Sequence, residues 1–418
     1  MEAVCENIFS TLAPCLTSSG WDPSLAQFVS ILLGVLLITT FPLLLALLLI
    51  WAERKVAARV QDRLGPNRVG PFGLLQNIAD ALKLITKEDI TPAGADRIVY
   101  NMAPVIAVLS VILIWAVVPF TSTNIGADLD IGVLYFVAIS SIGTLAIMMA
   151  GWSSNNKYAL LGSFRVVAQL VSYEVPMVLA LLVPVMIAGT MSMQGLAVHQ
   201  LGMWFIFTAP VSAIIFYVSN LAETGRAPFD LIEAESELVA GYNIEYSGMK
   251  FGLFMVNEFI HAFTANALFT VLFLGAWAGP FATEVPILGF VYFMVKTALL
   301  YVPSLILRAT VPRVRIDQMM AFNWKFLVPV SVVNVLVIAL ALKIAQGLGL
   351  TPENATDFVS NIPQTIVLLI ANLVVVVFAL TLVRGSVRKE RLMTSGKRAE
   401  PAAGDAEQKA LAATVAGH

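Results

Sequence analysis

The sequence predicts an all-α polytopic membrane protein with about nine transmembrane helices and additional cytoplasmic amphipathic helices. Hydrophobic residues make up 58% of the 418 residues, charged residues make up only 12%, and the mean hydropathy is +0.84. A helix that crosses the hydrocarbon core of a bilayer needs about 20 apolar residues. Nine stretches meet this requirement: 26–51, 98–120, 131–151, 159–189, 203–222, 250–279, 286–308, 323–346 and 362–384.

The composition divides the chain into four parts. Residues 1–25 are expected to form an outward-facing N-terminal segment, whose acidic start lacks the pattern of a cleavable signal peptide. Residues 26–346 are expected to form an eight-helix membrane domain, followed over 347–384 by an outer loop and an additional ninth helix. Residues 385–418 form a basic tail, and their composition is typical of a disordered cytoplasmic segment.

The lysine and arginine residues predict the orientation of the chain. They are concentrated between the first and second predicted spans, between the seventh and eighth, and in the tail, whereas the alternate loops contain almost none. Loops rich in lysine and arginine remain on the cytoplasmic side of the membrane. We therefore expect an outward N-terminus and a cytoplasmic C-terminus, and the acidic 223–249 loop then also faces the cytoplasm.

The sequence contains few residues that could hold a cofactor. Cys5 and Cys15 are its only cysteines, and two thiols are too few for a four-thiolate iron–sulfur cluster. Whether they form a disulfide is left open. The sequence has no zinc or haem motif and no glycine-rich nucleotide fingerprint, so we expect no metal or cofactor on this chain alone. The net charge of −2 says nothing about a nucleic-acid partner, and none is expected.

The loop between the fifth and sixth predicted spans is unusually acidic. Its acids include Glu223, Asp230, Glu233, Glu235 and Glu237. If residues 230–237 are helical, three of these acids lie on one face at i, i+3 and i+7. Close carboxylates raise one another's pKa, so the cluster is expected to titrate as a group near neutral pH. Arg226 is a candidate internal counter-charge, and the alternative interpretation is a solvated acidic loop that docks a basic partner.

Two further acids lie inside apolar spans. Glu174 precedes Pro176, which removes a backbone donor and thereby frees a carbonyl or admits water. Glu258 shares a helix face with His261. A charged side chain at the bilayer centre costs about 2.5–3.5 kcal/mol, so such acids indicate proton handling. A structural ion pair between Glu174 and Arg165, and a structural core role for His261, are the alternatives.

Residues 71–87 have the pattern of an amphipathic helix that lies at the membrane interface. Apolar side chains recur there at helical spacing, and the polar residues occupy the other positions. The apolar stripe comprises Leu74, Leu75, Ile78, Ala79, Leu82 and Ile85.

Three cytoplasmic segments carry long motifs. The first reads RLGPNRVGPFGLLQ from Arg63, the second AETGRAPFDL from Ala222, and the third PRVRIDQ from Pro312. In this order, and from about residue 26 to 346, they closely resemble the H-subunit family of NADH-quinone oxidoreductase. The mitochondrial members of this family are called NADH dehydrogenase subunit 1.

The resemblance implies a membrane subunit of the proton-translocating respiratory complex I in the bacterial plasma membrane. Such a protein contributes to the quinone-binding chamber at the junction with the hydrophilic arm, and it couples quinone reduction to proton transfer. Quinone, of a kind that is left open, is then the substrate, whereas FMN and iron–sulfur clusters belong to partner subunits. The implied partners are the quinone-site subunits of the hydrophilic arm, small membrane-arm subunits and the lipid bilayer, and the isolated chain is expected to be inactive.

The resemblance also implies roles for individual residues. A proton relay would comprise Glu174, Glu223, Asp230, Glu233, Glu235, Glu237 and Glu258. The quinone entrance would comprise Glu53, Arg54, Arg63 and Asp80, with Phe229 and Phe254 nearby. Docking to the hydrophilic arm would use Arg226, Arg308, Arg313, Arg315 and Asp317. For Arg54 and Arg63, anchoring of a positively charged loop at the cytoplasmic side and contact with lipid phosphates is the alternative. For the patch of Arg308, Arg313, Arg315 and Asp317, the alternative is a solvated anchor.

Three other functions compete with this hypothesis. The nearest is the equivalent subunit of a related membrane-bound hydrogenase or of another quinone-linked dehydrogenase. A stand-alone transporter is the second, but its expected inverted repeats and paired broken helices are not evident in the sequence. A passive membrane anchor is the third, and the acids inside the spans argue against it because an anchor gains nothing from them.

Overall fold

The computed structural model describes residues 16–230, 241–352, 354 and 356–399, with side chains described as far as residue 384. Within this part of the chain the protein is helical, and its only extended pairing is an isolated bridge between Pro119 and Ile125. Eight of the described helices are long and apolar enough to cross a membrane. The predicted all-α polytopic fold is therefore confirmed.

The long helices account for eight of the nine predicted spans. The first and the last continue well beyond the predicted apolar stretch, since polar residues at the ends of a spanning helix extend it into the interface. They are α1 (Pro23–Val60), α3 (Arg97–Ile114), α4 (Gly132–Ser153), α5 (Lys157–Ala188), α9 (Gly248–Phe273), α10 (Pro286–Thr310), α12 (Val328–Gly347) and α13 (Phe358–Ala399).

Shorter helices join these long ones. A 3₁₀ turn at Trp115–Val117 extends α3, and another lies at Gly241–Asn243. A π-helical turn, Asn323–Leu327, joins the short helix α11 (Ile316–Phe322) to α12, so that the three form one continuous helix. The other short helices are α2 (Gln76–Thr86), α6 (Met193–His199), α7 (Phe205–Thr208) and α8 (Pro210–Glu223).

The predicted fifth span, residues 203–222, is not one continuous helix. It consists of α7 and α8, which meet at Ala209 with φ −136° and ψ 57°. Pro210 explains the break, since a proline disfavours helical geometry in the residue before it and has no N–H of its own. The 14 residues of α8 extend about 21 Å, which is less than the roughly 30 Å of a hydrocarbon core. The sequence prediction overlooked this break because the residues on both sides are apolar.

The predicted interfacial helix over 71–87 is shorter in the structure. A 3₁₀ turn at Pro71–Gly73 precedes α2. Gly73 has a φ of 79°, and a Cβ atom there would overlap the carbonyl group of Pro66, so only glycine fits this turn. The side-chain amide of Asn77 donates to the carbonyl of Leu47, and this hydrogen bond fixes α2 against α1.

The main hydrophobic core is rich in aromatic side chains. Trp115 packs in stacked geometry against Phe120 and Phe263, and its indole N–H donates to Thr264 Oγ1 at 2.9 Å. These side chains join the end of α3 to α9, and Phe293 extends the cluster to α10. The core thus holds α9 in the centre, where 72% of its most apolar stretch is buried within the protein.

Candidate functional site

Glu53 lies about two turns before the C-terminal end of α1 and accepts hydrogen bonds from two arginines. Its Oε2 is 2.5 Å from Nη1 of Arg226, and its Oε1 accepts from Nη1 of Arg308. Both contacts are ion pairs, and the Glu53 side chain is only 14% exposed. The two guanidinium groups thus share one carboxylate.

Arg226 is the most deeply buried member of this cluster. Its side chain is 1% exposed, and its guanidinium lies 5.4 Å from the centre of the Phe259 ring. Its Nε and Nη2 have no hydrogen-bond partner among the described residues. Arg226 is thus the counter-charge of Glu53. Because Arg226 lies in the interior of the protein, it is not part of a docking surface. Its free donors could bind an oxygen acceptor that enters the cluster.

Arg54 and Asp80 connect α1 to the interfacial helix α2. Arg54 Nη1 lies 2.5 Å from Asp80 Oδ2, and Gln76 and Lys83 also contact the carboxylate, at 3.3 and 3.6 Å. Burial acts to raise the pKa of Asp80, but the hydrogen bond and charge of Arg54, with help from Gln76 and Lys83, outweigh it and lower the pKa below its ordinary value. Asp80 therefore remains ionised at neutral pH.

The other predicted entrance residues are dispersed. Arg63 lies in the exposed turn after α1, and its Nε donates to Gln61 at 2.7 Å. Phe229 and Phe254 belong to separate hydrophobic clusters. Phe229 packs 5.5 Å from Tyr173, whereas Phe254 packs edge-on against Tyr246. The structure thus does not bring these two phenylalanines into one pocket.

A small polar cavity brings together two of the predicted relay acids. It has a volume of about 50 Å³ and is lined by Glu223 at the end of α8 and by Glu258 and His261 on α9. Asn257 also lines it and has a buried Oδ1 without a hydrogen-bond partner among the described residues. A water molecule needs about 10–15 Å³ by this measure, so the cavity has room for about three. The remaining polar lining residues are Ser110, Ser140, Thr144, Thr224 and Tyr242.

Glu174 lies on α5 and is not among the residues that line this cavity. Its Oε1 accepts a hydrogen bond from Ser141 Oγ at 2.6 Å. The carbonyl freed by Pro176 is that of Ser172, and it accepts from Asn323 Nδ2 at 2.6 Å. The predicted release of a carbonyl is thus present, and a side chain from the π-helical turn binds it.

Among the remaining predicted site residues, Asp230 is buried, whereas Arg315 and Asp317 are exposed. Asp230 is paired with Arg313 at 3.2 Å. Arg315 and Asp317 are 3.6 Å apart and more than two thirds exposed. Exposed pairs of this kind contribute little to stability, which leaves these side chains available to a partner or to lipid headgroups. The predicted relay residues Glu233, Glu235 and Glu237, as well as Cys5 and Cys15, lie outside the described residues.

Sequence reasoning missed several buried polar residues that organise the site. Gln169 is fully buried in α5, and its Nε2 donates to the carbonyls of Ala222 and Phe229 at 2.6 and 2.8 Å. It therefore fixes both ends of the turn that carries Arg226. The available signal was a lone amide within an apolar span, because a buried amide must find hydrogen-bond partners.

Lys296, on α10, has a site of its own. Its ammonium group donates to the carbonyls of Leu274, Ala276 and Ala278 at 2.7, 3.2 and 2.7 Å. It also lies 4.6 Å from the centre of the Trp204 ring. All three donors are satisfied by backbone carbonyls, so this lysine stabilises the turn after α9. Among the residues that the structure describes, no group of three or more His, Cys, Asp or Glu side chains is placed to hold a metal ion.

The fold and the site define an all-α polytopic membrane protein in which acidic side chains line a cavity between the helices. A family model described as NADH dehydrogenase matches residues 33–339. The chain belongs to this family, whose bacterial members include the H subunit of NADH-quinone oxidoreductase.

Individual relatives carry the same description. The chain is 46% identical over 322 residues to the NADH-quinone oxidoreductase H subunit of Dehalococcoides mccartyi (strain CBDB1), covering 77% of this chain and 90% of the relative. It is 48% identical over 304 residues to the H subunit numbered 1 of Geobacter metallireducens, covering 71% and 91%. It is 43% identical over 337 residues to the H subunit of Carboxydothermus hydrogenoformans, covering 79% and 96%.

Proposed function

We propose that this chain is the subunit of a proton-translocating NADH-quinone oxidoreductase that helps to form the quinone-binding chamber and couples quinone reduction to proton transfer. Its partners would be the quinone-site subunits of the hydrophilic arm and the small subunits of the membrane arm, and FMN and iron–sulfur clusters would be held by partner subunits. The membrane is the bacterial plasma membrane, with the N-terminus outside and the C-terminus in the cytoplasm. The observation that carries the proposal is the cavity that brings Glu223 and Glu258 together within a helical membrane domain.

The buried cluster of Glu53, Arg226 and Arg308 supports the quinone part of the proposal. Arg226 has two guanidinium donors without a partner among the described residues, and such donors suit a quinone carbonyl or the negative charge that develops on it during reduction. The interfacial helix α2, held to α1 by Arg54 and Asp80, would flank an opening through which an isoprenoid tail reaches this cluster.

The polar cavity supports the proton part of the proposal. Two carboxyl groups, an imidazole and several hydroxyl groups surround a space large enough for a few water molecules. A change of charge at the quinone would alter the proton affinity of nearby acids, and water in the cavity would carry the proton between them. Glu174 would extend this path along α5, with Ser141 as its hydrogen-bond donor.

The test uses the whole complex purified in mild detergent and reconstituted into vesicles. The variants are Glu223→Gln and Glu258→Gln, and the matched control is Glu284→Gln, because Glu284 is an exposed acid outside the cavity. We expect both cavity variants to assemble and to lose at least about tenfold in quinone-linked proton translocation, and we expect the control to retain it. Full translocation in both cavity variants would contradict the relay. A complex that oxidises hydrogen instead of NADH would assign the chain to the related membrane-bound hydrogenases.

A further inference from the structure

Asn372 lies on α13, outside the residues 33–339 that match the family model. Its side chain is 2% exposed, so it faces the protein and not lipid. A buried amide carries two donors and one acceptor group, all of which need partners. Those partners lie at the break between α7 and α8.

The break creates unsatisfied backbone groups. The last carbonyls of α7 and the first N–H groups of α8 have no partner within their own helices. Pro210 has no N–H, and Ala209, at the N-cap of α8, makes no side-chain capping bond. Val211 therefore has the first N–H of α8 that needs an acceptor. Thr208 and Ala209 are buried, so another part of the protein must supply one.

The amide of Asn372 binds both sides of the break. Its Oδ1 accepts from the backbone N–H of Val211 at 3.4 Å, and its Nδ2 donates to the carbonyl of Thr208 at 3.0 Å. Nδ2 also donates to Leu368 on its own helix at 2.8 Å. One side chain on the additional helix thus caps the end of α7 and the start of α8.

A second asparagine holds the same turn. Asn334, on α12, donates from its Nδ2 to Ser212 Oγ at 2.7 Å, and both side chains are fully buried. The first turn of α8 is therefore bound from two neighbouring helices. At the other end of the 14-residue α8 lies Glu223, which lines the polar cavity.

We propose that Asn372 is a positioning residue that sets the axial position of α8 and thereby the position of Glu223 in the cavity. A helix of this length is a rigid rod of about 21 Å, so a displacement at its first turn is carried to its last. The additional helix α13 would thus act on the cavity without contacting it. The inference rests on the proposed function of Glu223. The capping of α7 and α8 by Asn372 does not depend on that function.

The experiment compares Asn372→Leu with Leu373→Ala in the complete, detergent-purified complex. Leucine is close in size to asparagine and removes both hydrogen bonds, whereas Leu373 is 63% exposed on the same helix and faces away from the break. Amide hydrogen exchange is measured over residues 211–216. We expect about tenfold faster exchange for Asn372→Leu, because an unsatisfied helix start opens locally, and no change for Leu373→Ala.

The second readout is the pH profile of quinone-linked proton translocation in vesicles. We expect it to shift in Asn372→Leu, because Glu223 would occupy an altered environment, and to return toward the parent profile in Asn372→Gln, which keeps a donor and an acceptor. If Asn372→Leu does not assemble, Asn372→Gln and Asn372→Asp are compared instead, and Asn372→Asp, which loses the donor to Thr208, should show the larger shift.

Unchanged exchange over 211–216 would overturn the proposal. Faster exchange with an unchanged pH profile and proton stoichiometry would also overturn it, since α8 would then have moved without effect on Glu223. Failure of the proposed function has a separate signature: Glu223→Gln would itself translocate protons fully, whatever the exchange result for Asn372→Leu.

Discussion

Asn323 donates its side-chain amide to the carbonyl oxygen of Ser172 at a distance of 2.6 Å. Ser172 lies four residues before Pro176 on α5, so this is the carbonyl that the proline leaves without an intrahelical donor. Asn323 begins the π-helical turn between α11 and α12 and is fully buried. The backbone carbonyl that Pro176 leaves free in α5 is thus bound by a side chain from the π-helical turn before α12.

This relationship predicts the outcome of a double-mutant cycle. Asn323→Leu should destabilise the complex by about 1–3 kcal/mol, because it leaves the Ser172 carbonyl unsatisfied in a dry environment. Pro176→Ala should be far less harmful in the Asn323→Leu background than in the parent, because an alanine at 176 supplies the missing backbone donor. The thermal midpoint of the purified complex measures both effects. Strictly additive effects of the two substitutions would contradict the assignment.

Substitution of Glu53 is predicted to destabilise the complex more than substitution of Arg308, its partner in the buried cluster. Glu53→Gln leaves the buried guanidinium of Arg226 without its carboxylate, and breaking a buried pair on one side costs about 3–5 kcal/mol. Arg308→Gln should cost less, because the Arg308 side chain is 24% exposed and Arg226 still balances the carboxylate. The yield of assembled complex and its thermal midpoint provide the measurement. Equal losses for the two variants would show that burial of Arg226 is not the deciding factor.

The ion pair between Arg54 and Asp80 predicts a pH dependence with a definite sign. The pKa of Asp80 is lowered in the folded protein, so its contribution to stability is present above the unfolded-state pKa, near 3.8, and disappears as the pH falls through the lower folded-state value. Asp80→Asn should therefore lower stability by less than about 1 kcal/mol at pH 7, because both partners are partly exposed.

The difference between Asp80→Asn and the parent should stay constant from pH 8 to pH 5 and shrink below pH 3.8. Denaturant titrations of the complex at several pH values test this, with Asp62→Asn as the control because Asp62 is an exposed acid in the turn after α1. A difference that grows as the pH falls would reverse the predicted sign.

Substitution of Lys296 is predicted to lower the stability of the complex without changing the coupling of quinone reduction to proton translocation. Lys296→Met removes three hydrogen bonds to backbone carbonyls and the contact with Trp204, and it should lower stability by about 2–4 kcal/mol. The number of protons translocated per quinone should not change in the complex that assembles. Lys343→Met is the matched control, since Lys343 is exposed at the end of α12. A changed proton number in Lys296→Met would assign this lysine to the proton path.

Apolar length and composition were sufficient to predict the helical class and most of the spans, because a bilayer imposes both on any helix that crosses it. They were insufficient at residues 203–222, where the break depends on one proline and on distant capping groups. Hydropathy averages over such a break, since its flanking residues are as apolar as those of a continuous span.

The sequence identified several individual residues of the candidate site, but it did not predict which of them are in contact. Glu53 and Arg226 were each identified, but their contact joins residues 173 positions apart, and only the packing of α1 against the rest of the bundle creates it. Gln169, Asn323 and Asn372 were overlooked because they carry no charge. A useful rule for similar chains is that an amide within an apolar span indicates an irregular backbone nearby.

The carbonyl cage around Lys296 has a consequence for the ionic conditions that the protein tolerates. Carbonyl oxygens that converge on one point are also the ligands by which proteins bind alkali cations. Here the cation is the ammonium group of Lys296, which is part of α10. It therefore cannot dissociate or exchange with sodium or potassium. The turn after α9 should therefore keep its shape across wide changes in salt concentration.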